Sequence, residues 1–371
     1  MNKFDSIRPY KDNEVKPVLT SLCNNPDIIK VVLASKNYPL LAHLPFRNRL
    51  ISYLLKNRIK DVNSIKEYQD IFEGIVSKVI KNSIKDFTVS GIKNLDKDKS
   101  YLFISNHRDI TLDSALLNLI LHQNNLKTTN NAVGNNLMEE KWASDLMRLN
   151  KSFIIDRSDK SKKDIYKSLH LASEFIFDSI VNKNDSVWIA QKQGRSKDGL
   201  DYTDSSVLKM IHLNARKSKK IHDYFNELSV VPISISYERD PNDLLKTKEL
   251  YLTSINNKYE KEPKEDLQSI SDGITGYKGN VHLSIGSQMT FADDDYDQVA
   301  SQITSSIKSL YKIHATNIAS CIIQGIPVEN TNFNDDQIED AKAYLQERMQ
   351  NIQDDMHPFF LSQYSNSVYK L

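Results

Sequence analysis

The run FISNHRDITLDSALLNLIL, Phe103 to Leu121, passes from a strand pattern to a helix pattern across a loop holding a histidine, an arginine and two aspartates. FIS is short, apolar and β-branched at its centre, as a strand end should be. Ser114 to Leu121 is an apolar helix, and either Thr111 or Asp113 can cap it. His107-Arg108-Asp109 is also the opening of a protein-kinase catalytic loop, which needs an asparagine five residues after its aspartate. That position is Ser114, no Asp-Phe-Gly follows, and no glycine-rich loop with a strand lysine precedes. The kinase reading fails. A histidine where a strand gives way to a helix sits at the rim of an α/β sheet, where active sites collect. Asp113, six positions on, can accept one imidazole N–H and leave the other nitrogen to take a proton from an alcohol.

Outward from this stretch, short β-branched runs recur between longer helical ones. YLFIS (101–105), SFIID (152–156), SVWIA (186–190), VVPISI (230–235) and NVHLSIG (280–286) read as strands. Helices are expected over 113–124, 138–149, 161–182 and 204–216. The alternation predicts an α/β fold, a mostly parallel sheet flanked by helices. On either side the period becomes helical. Three regions follow: a helical N-terminal region over 1–84, a central domain over 85–292, and a helical C-terminal extension over 293–371 that includes a clear helix from Asp335 to Met349.

Composition sets the outer limits. In 371 residues, 26% charged and 39% hydrophobic content is ordinary for a globular chain, and a net charge of +1 supplies no general attraction to nucleic acid. Cys23 and Cys321 are far apart and show no metal-ligand spacing, so no metal is expected. The N-terminus lacks the apolar core of a secretory signal. No apolar run reaches the roughly 18 residues of a membrane span. Ile313 to Val328 is the longest uncharged stretch, and His314, Asn317, Gln324 and Pro327 interrupt it. These features predict a cytoplasmic protein or one bound at a membrane surface.

Two later loops add cations. Arg157 follows the SFIID strand, and Arg195 follows SVWIA within Gln191-Lys192-Gln193-Gly194-Arg195-Ser196-Lys197-Asp198-Gly199. The glycines let backbone approach a ligand. The guanidinium fork suits phosphate oxygens. A parallel sheet would bring both loops toward the rim that carries His107, placing a base beside a phosphate clamp.

The ordered set resembles the glycerolipid acyltransferase superfamily, the glycerol-3-phosphate and 1-acylglycerol-3-phosphate acyltransferases. SNHRDITLDS is similar to the family's Asn-His-x4-Asp block, FIIDRS to its Phe-Ile-Asp-Arg segment, QKQGRSKDG to its Glu-Gly-x-Arg-Ser segment, and VVPISI to its Val-Pro strand. The likeness covers roughly residues 85 to 290. It implies transfer of a fatty acyl group from a thioester, acyl-CoA or acyl carrier protein, to a hydroxyl of a glycerol-phosphate lipid precursor, with 1-acylglycerol 3-phosphate favoured. By the same resemblance His107 is the general base and Asp113 orients it. Arg157, Arg195 and Lys197 hold the acceptor phosphate, Gln193 helps orient substrate, and Gly194, Ser196 and nearby amides face the oxyanion. No cofactor is implied beyond the donor thioester, and the expected partner surface is the inner membrane face.

Two positions depart from the family. Five residues, not four, separate His107 from Asp113, and one extra helical residue turns a side chain by about 100°, so the loop must bulge. Asp109 is the alternative orienting carboxylate. Gln193 stands where the family has Glu, keeping the hydrogen-bonding shape without the charge. Alternative acceptors are glycerol 3-phosphate, suggested by GRSKDG, and a lyso-aminolipid. A catalytically silent lipid-binding protein of the same fold is the rival class, and the geometry of His107 and Asp113 discriminates. Lipid contact is expected at residues 38 to 60, where an apolar run leads into a helix with Leu50, Ile51, Leu54 and Leu55 on one face and Arg47, Arg49, Lys56, Arg58 and Lys60 around it.

Overall fold

The computed structural model describes residues 3–34, 46–135, 140–157, 161–329 and 332–369. In chain order it forms α1 (Asp12–Cys23), α2 (Pro26–Ala34), α3 (Arg47–Arg58), α4 (Ile65–Ser83), β1 (Asp86–Ser90), β2 (Leu102–Ser105), α5 (Leu112–Gln123), β3 (Asn130–Gly134), α6 (Lys141–Leu149), β4 (Ser152–Ile155), α7 (Lys162–Phe177) and β5 (Val187–Ala190). There follow α8 (Ser205–Ile211), α9 (Ile221–Glu227), β6 (Val230–Tyr237), α10 (Asp243–Asn256), α11 (Glu265–Thr275), β7 (Asn280–Ile285), α12 (Tyr296–Ser309), α13 (Ala315–Ile323), α14 (Asp335–Met349) and α15 (His357–Tyr369). The five expected strands and the helix from Asp335 to Met349 are present. β1 and β3 are additional. The expected lipid-contact segment lies outside the described residues over 38–45.

The chain folds as two compact units, residues 1–75 with 130–175, and residues 76–129 with 176–371. In the first, β3 and β4 pair in parallel, Asn131 opposite Ser152. Val15, Leu19, Leu22, Val62, Tyr68 and Leu149 form its apolar cluster. The amphipathic spacing of α1 places the first three on one side. Polar ties add to this cluster: the Tyr10 hydroxyl donates to Asp145, and Arg148 donates to the Arg8 carbonyl.

In the second unit the strand order is β1-β7-β6-β2-β5. Every pairing in it is parallel except β6 with β7. All residues of β2 and β6 are buried, as expected of central strands covered on both faces. The parallel strands β2, β5 and β6 end on the same rim, which is where α/β folds bind ligands. A second cluster, with Ile318, Leu345 and Phe360 at its centre, holds α13, α14 and α15 together.

His314, at the start of α13, is buried and meets the Ser236 hydroxyl at 3.1 Å. Burial pushes its imidazole down to about 4, with the charge of Lys312 acting in the same direction. A depressed histidine binds its proton less readily in the native state, so stability is full above the unfolded value of about 6.5 and falls as pH drops toward 4. The expected loss is up to about 3 kcal/mol. Denaturant melts at pH 7 and pH 4 should show a loss in the wild type that His314→Asn reduces by that order. An equal loss in both would assign the acid sensitivity to other groups.

Candidate active site

The site forms where β2 ends. Asn106, fully buried, bridges to the neighbouring strand β6: its amide donates to the Ile235 carbonyl at 2.9 Å, and its oxygen accepts from the Ile235 N–H at 2.8 Å. This brace fixes the chain direction just before His107. The His107 Nδ1–H donates to Asp113 Oδ2 at 2.8 Å. A carboxylate only accepts, so the proton lies on Nδ1 and the Nε2 lone pair is left for chemistry. Among the described residues no side chain bonds Nε2. The ring is partly exposed, and Trp188 of β5 packs edge-on against it with centroids 5.6 Å apart.

The loop absorbs the extra residue by closing around the carboxylate. Asp113 Oδ2 also accepts the backbone N–H of Arg108 at 2.6 Å and of Asp109 at 3.1 Å, while Oδ1 accepts the Tyr237 hydroxyl at 2.8 Å. Charge-assisted bonds of this kind hold the carboxylate rigidly. Burial, with the charge of Asp113 adding to it, keeps the Tyr237 phenol well above its ordinary range, so it stays a donor.

Asp109 has a different task. Its Oδ1 accepts the N–H groups of Thr111 and Leu112 at 2.9 and 2.8 Å and so caps α5. Capping by Thr111 or Asp113 was the expectation from sequence. The helix instead starts at Leu112, the Thr111 side chain makes no cap bond, and Asp113 is turned back into the loop. Burial, reinforced by the charge of Asp113, raises the Asp109 carboxyl.

The loop after β5 lies beside this pair. Gly194 adopts φ +75°, a conformation that disfavours any side chain even though a Cβ there would meet nothing within 4 Å. Two residues on, the Ser196 N–H donates to the His107 carbonyl at 2.7 Å. That amide is therefore engaged, and the expectation that it faces an oxyanion does not hold for this arrangement. Gln193 and Gly194 are exposed. Lys197 is ion-paired with Glu249. Arg195 donates through Nη1 to the Ser269 hydroxyl at 2.7 Å and forms no ion pair among the described residues. Arg157 follows β4 in the other compact unit, half-buried, with its N–H donating to Asn135. No group of three or more His, Cys, Asp or Glu side chains able to hold a metal occurs among the described residues.

Residues 86–236 match the family model described as Acyltransferase. That segment is similar to the acyltransferases. It begins at β1, ends in β6, and contains both His107 and Asp113. Among solved structures, the chain is similar to the 1-acyl-sn-glycerophosphate (LPA) acyltransferase PlsC from Thermotoga maritima, with 16% identity over 81% of this chain and 99% of that one, at a TM-score of 0.40. No curated protein matches its sequence.

Several residues of the site carry no motif that sequence reading could find. Asp201 accepts from Asn106, Arg108 and Gln191, gathering three loop positions onto one buried carboxylate. Lys246 donates to the Arg108 carbonyl and pairs with Asp240. Burial alone would raise Asp240, but the Lys246 charge outweighs it and holds the carboxyl low. Tyr237 offered one clue, lying immediately beyond the VVPISI strand. Asp201 and Lys246 offered none.

Proposed function

We propose that this protein is an acyltransferase that moves a fatty acyl group from a thioester donor to a hydroxyl of a glycerol-phosphate lipid precursor, with 1-acylglycerol 3-phosphate as the acceptor. The observation that carries the reading is the His107–Asp113 hydrogen bond, which leaves Nε2 unengaged on a partly exposed ring. In the proposed step His107 Nε2 takes the acceptor hydroxyl proton as the oxygen attacks the thioester carbonyl carbon. The C–O bond forms, the C–S bond breaks, and the thiolate leaves, taking the proton back from the imidazolium. Asp113 holds the ring and stabilises its transient charge. Holding alcohol and thioester as neighbours supplies much of the remaining acceleration. The donor is acyl-CoA or acyl carrier protein, and the silent reading loses its chief support because the two side chains do meet.

Arg195 is the favoured phosphate contact, since a hydroxyl holds one of its nitrogens and no carboxylate forms an ion pair with it among the described residues, although the Asp240 charge acts on it. Arg157, which lies in the other unit, is tested beside it. A bidentate guanidinium is hard for lysine to imitate at a phosphate. Each Arg→Lys change should raise the acceptor KM by roughly tenfold or more while leaving the donor KM little changed. Steady-state kinetics with both substrates varied would check this. Equal weakening toward donor and acceptor would move these arginines to the donor's phosphates, and indifference to both changes would remove the clamp.

The membrane face is proposed for α3. Phe46 and Tyr53 are 76% and 67% exposed, and Leu50 and Leu54 are exposed with them. At about 100° per residue Leu50, Tyr53 and Leu54 share one face, with Phe46 at the N-cap, whereas Ile51, expected on that face, is buried. Arg47, Arg49, Lys56 and Arg58 flank it, all exposed. Apolar side chains bordered by cations suit an anionic bilayer surface, and no helix among the described residues is long and apolar enough to cross one. Leu50→Glu with Leu54→Glu should abolish sedimentation with phosphatidylglycerol vesicles without changing the melting temperature. Undiminished sedimentation would exclude α3 as the contact.

A further inference from the structure

The carboxylate that orients His107 is anchored from outside the family-matched segment. Asp113 Oδ2 gathers three N–H donors, from the His107 ring and from the backbone of Arg108 and Asp109. Oδ1 has a single donor among the described residues, the Tyr237 hydroxyl at 2.8 Å. Tyr237 is the last residue of β6 and lies one position past the matched segment. β6 runs parallel to β2 with Ile233 opposite Ser105, and Asn106 bonds both backbone groups of Ile235. Two residues further on, Tyr237 stands beside the His107 loop. It is buried, and burial, with the charges of Asp113, Asp109 and Asp240 acting in the same direction, keeps the phenol protonated and hence a donor. The two carboxylate oxygens therefore play different parts. The donors on Oδ2 close the bulge that the five-residue spacing requires, whereas Tyr237 touches only the other oxygen. A donor there spreads the carboxylate's charge and leaves less of it to hold an imidazolium. A general base works best when it takes a proton readily but is not already protonated at the working pH.

We propose that Tyr237 is a positioning residue for the reaction: its hydroxyl, acting through Asp113 Oδ1, sets how firmly His107 holds the proton it takes from the acceptor. The inference rests on the acyl-transfer reading above and deepens it. With the phenol gone, the undivided charge of the carboxylate would face the imidazolium. The ring would keep its proton to higher pH, and less of it would be free to act as base. Other charges face the same group. Asp109 of the loop and Asp240 after β6 act on the phenol. Arg108 and Lys197 line one cavity with Tyr237, as do the phenols of Tyr311 and Tyr364. Lys246 of α10 is paired with Asp240, and the Asp109 charge acts on Lys278, just before β7. Among the described residues none of these side chains bonds the Asp113 carboxylate or the His107 ring. All of them persist when only the Tyr237 hydroxyl is removed, so a comparison of the two proteins isolates that hydroxyl.

The test is a pH titration of the His107 ring by NMR on the full-length protein, with its signal identified by its loss in His107→Ala. Tyr237→Phe removes one hydroxyl and keeps the ring. It should move the titration midpoint upward by about half a pH unit or more. The acid limb of kcat/KM for acyl transfer should move with it. A tyrosine fluorinated beside its hydroxyl, installed at position 237, is a stronger donor and should move the midpoint downward. If Tyr237→Phe fails to fold, the fluorinated protein decides. An unchanged or lowered midpoint in folded Tyr237→Phe, even with a reduced melting temperature, would leave the residue a structural part only and overturn the proposal. An unchanged or raised midpoint in the fluorinated protein would do the same. The NMR titration needs no turnover, so the readings separate. A raised midpoint in a protein that acylates no glycerolipid sinks the reaction and keeps the Tyr237 coupling, whereas an unchanged midpoint in one that does acylate sinks the coupling alone.

Discussion

Replacing His107 by alanine is expected to lower turnover by roughly 100- to 10,000-fold, the range a positioned general base contributes. The protein should remain folded. The imidazole makes one side-chain hydrogen bond and one edge-on contact with Trp188, whereas the loop backbone is held independently by Asn106, by Ser196 and by the Asp113 carboxylate. The donor KM should change little, because the histidine acts on the acceptor hydroxyl in the transition state. Circular dichroism melts and steady-state rates on the same preparation would check both halves. Near-normal turnover in a folded His107→Ala protein would remove the histidine from the mechanism.

The second large effect distinguishes the two aspartates. Asp113→Asn should cost roughly 100- to 10,000-fold in turnover, because the ring then loses the negative charge that stabilises its imidazolium. Geometry adds to the cost. Asp113 Oδ2 accepts from three N–H groups and Oδ1 from Tyr237. An asparagine keeps the first set only by pointing its NH2 at Tyr237, whose hydroxyl must then turn to accept. Asp109→Asn should be nearly silent. Its Oδ1 accepts two backbone N–H groups at the start of α5, and asparagine caps helices as well as aspartate does. Burial raises that carboxyl, so the charge that asparagine removes is one the site does not favour. Rates and melts for the pair check the assignment, and the reverse pattern, with only Asp109→Asn inactive, would overturn it.

Legibility in the sequence followed the range of the interactions. Strands with dense β-branched or aromatic content, such as SVWIA and VVPISI, could be read directly. β1 and β3 could not: DFTVS is a half-exposed strand that directly follows a long helix, and NNAVG opens with two asparagines, which strands disfavour. Their pairing to β7 and β4 is a tertiary fact. In the site, the His107–Asp113 pair lay within one local stretch and was visible despite its spacing. How the loop absorbs that spacing was not visible, since it depends on backbone N–H groups converging on one oxygen and on Tyr237, 124 residues away. The Arg108–Asp201 pair spans 93 residues, and a lone Asp-Tyr-Thr-Asp stretch announces no buried hub. The cap of α5 was misassigned because three side chains near its start can each accept a backbone N–H, and only the folded loop selects Asp109.

The most direct test is to incubate the purified protein and its His107→Ala variant with labelled acyl-CoA or acyl carrier protein and a panel of glycerol 3-phosphate, 1-acylglycerol 3-phosphate, a phosphate-free monoacylglycerol and a lyso-aminolipid, and to identify the product by mass. The predicted result is a diacylglycerol 3-phosphate formed from 1-acylglycerol 3-phosphate by the wild type and nearly absent with His107→Ala. Transfer to none of the panel, or transfer that survives loss of His107, would contradict acyl transfer by this site.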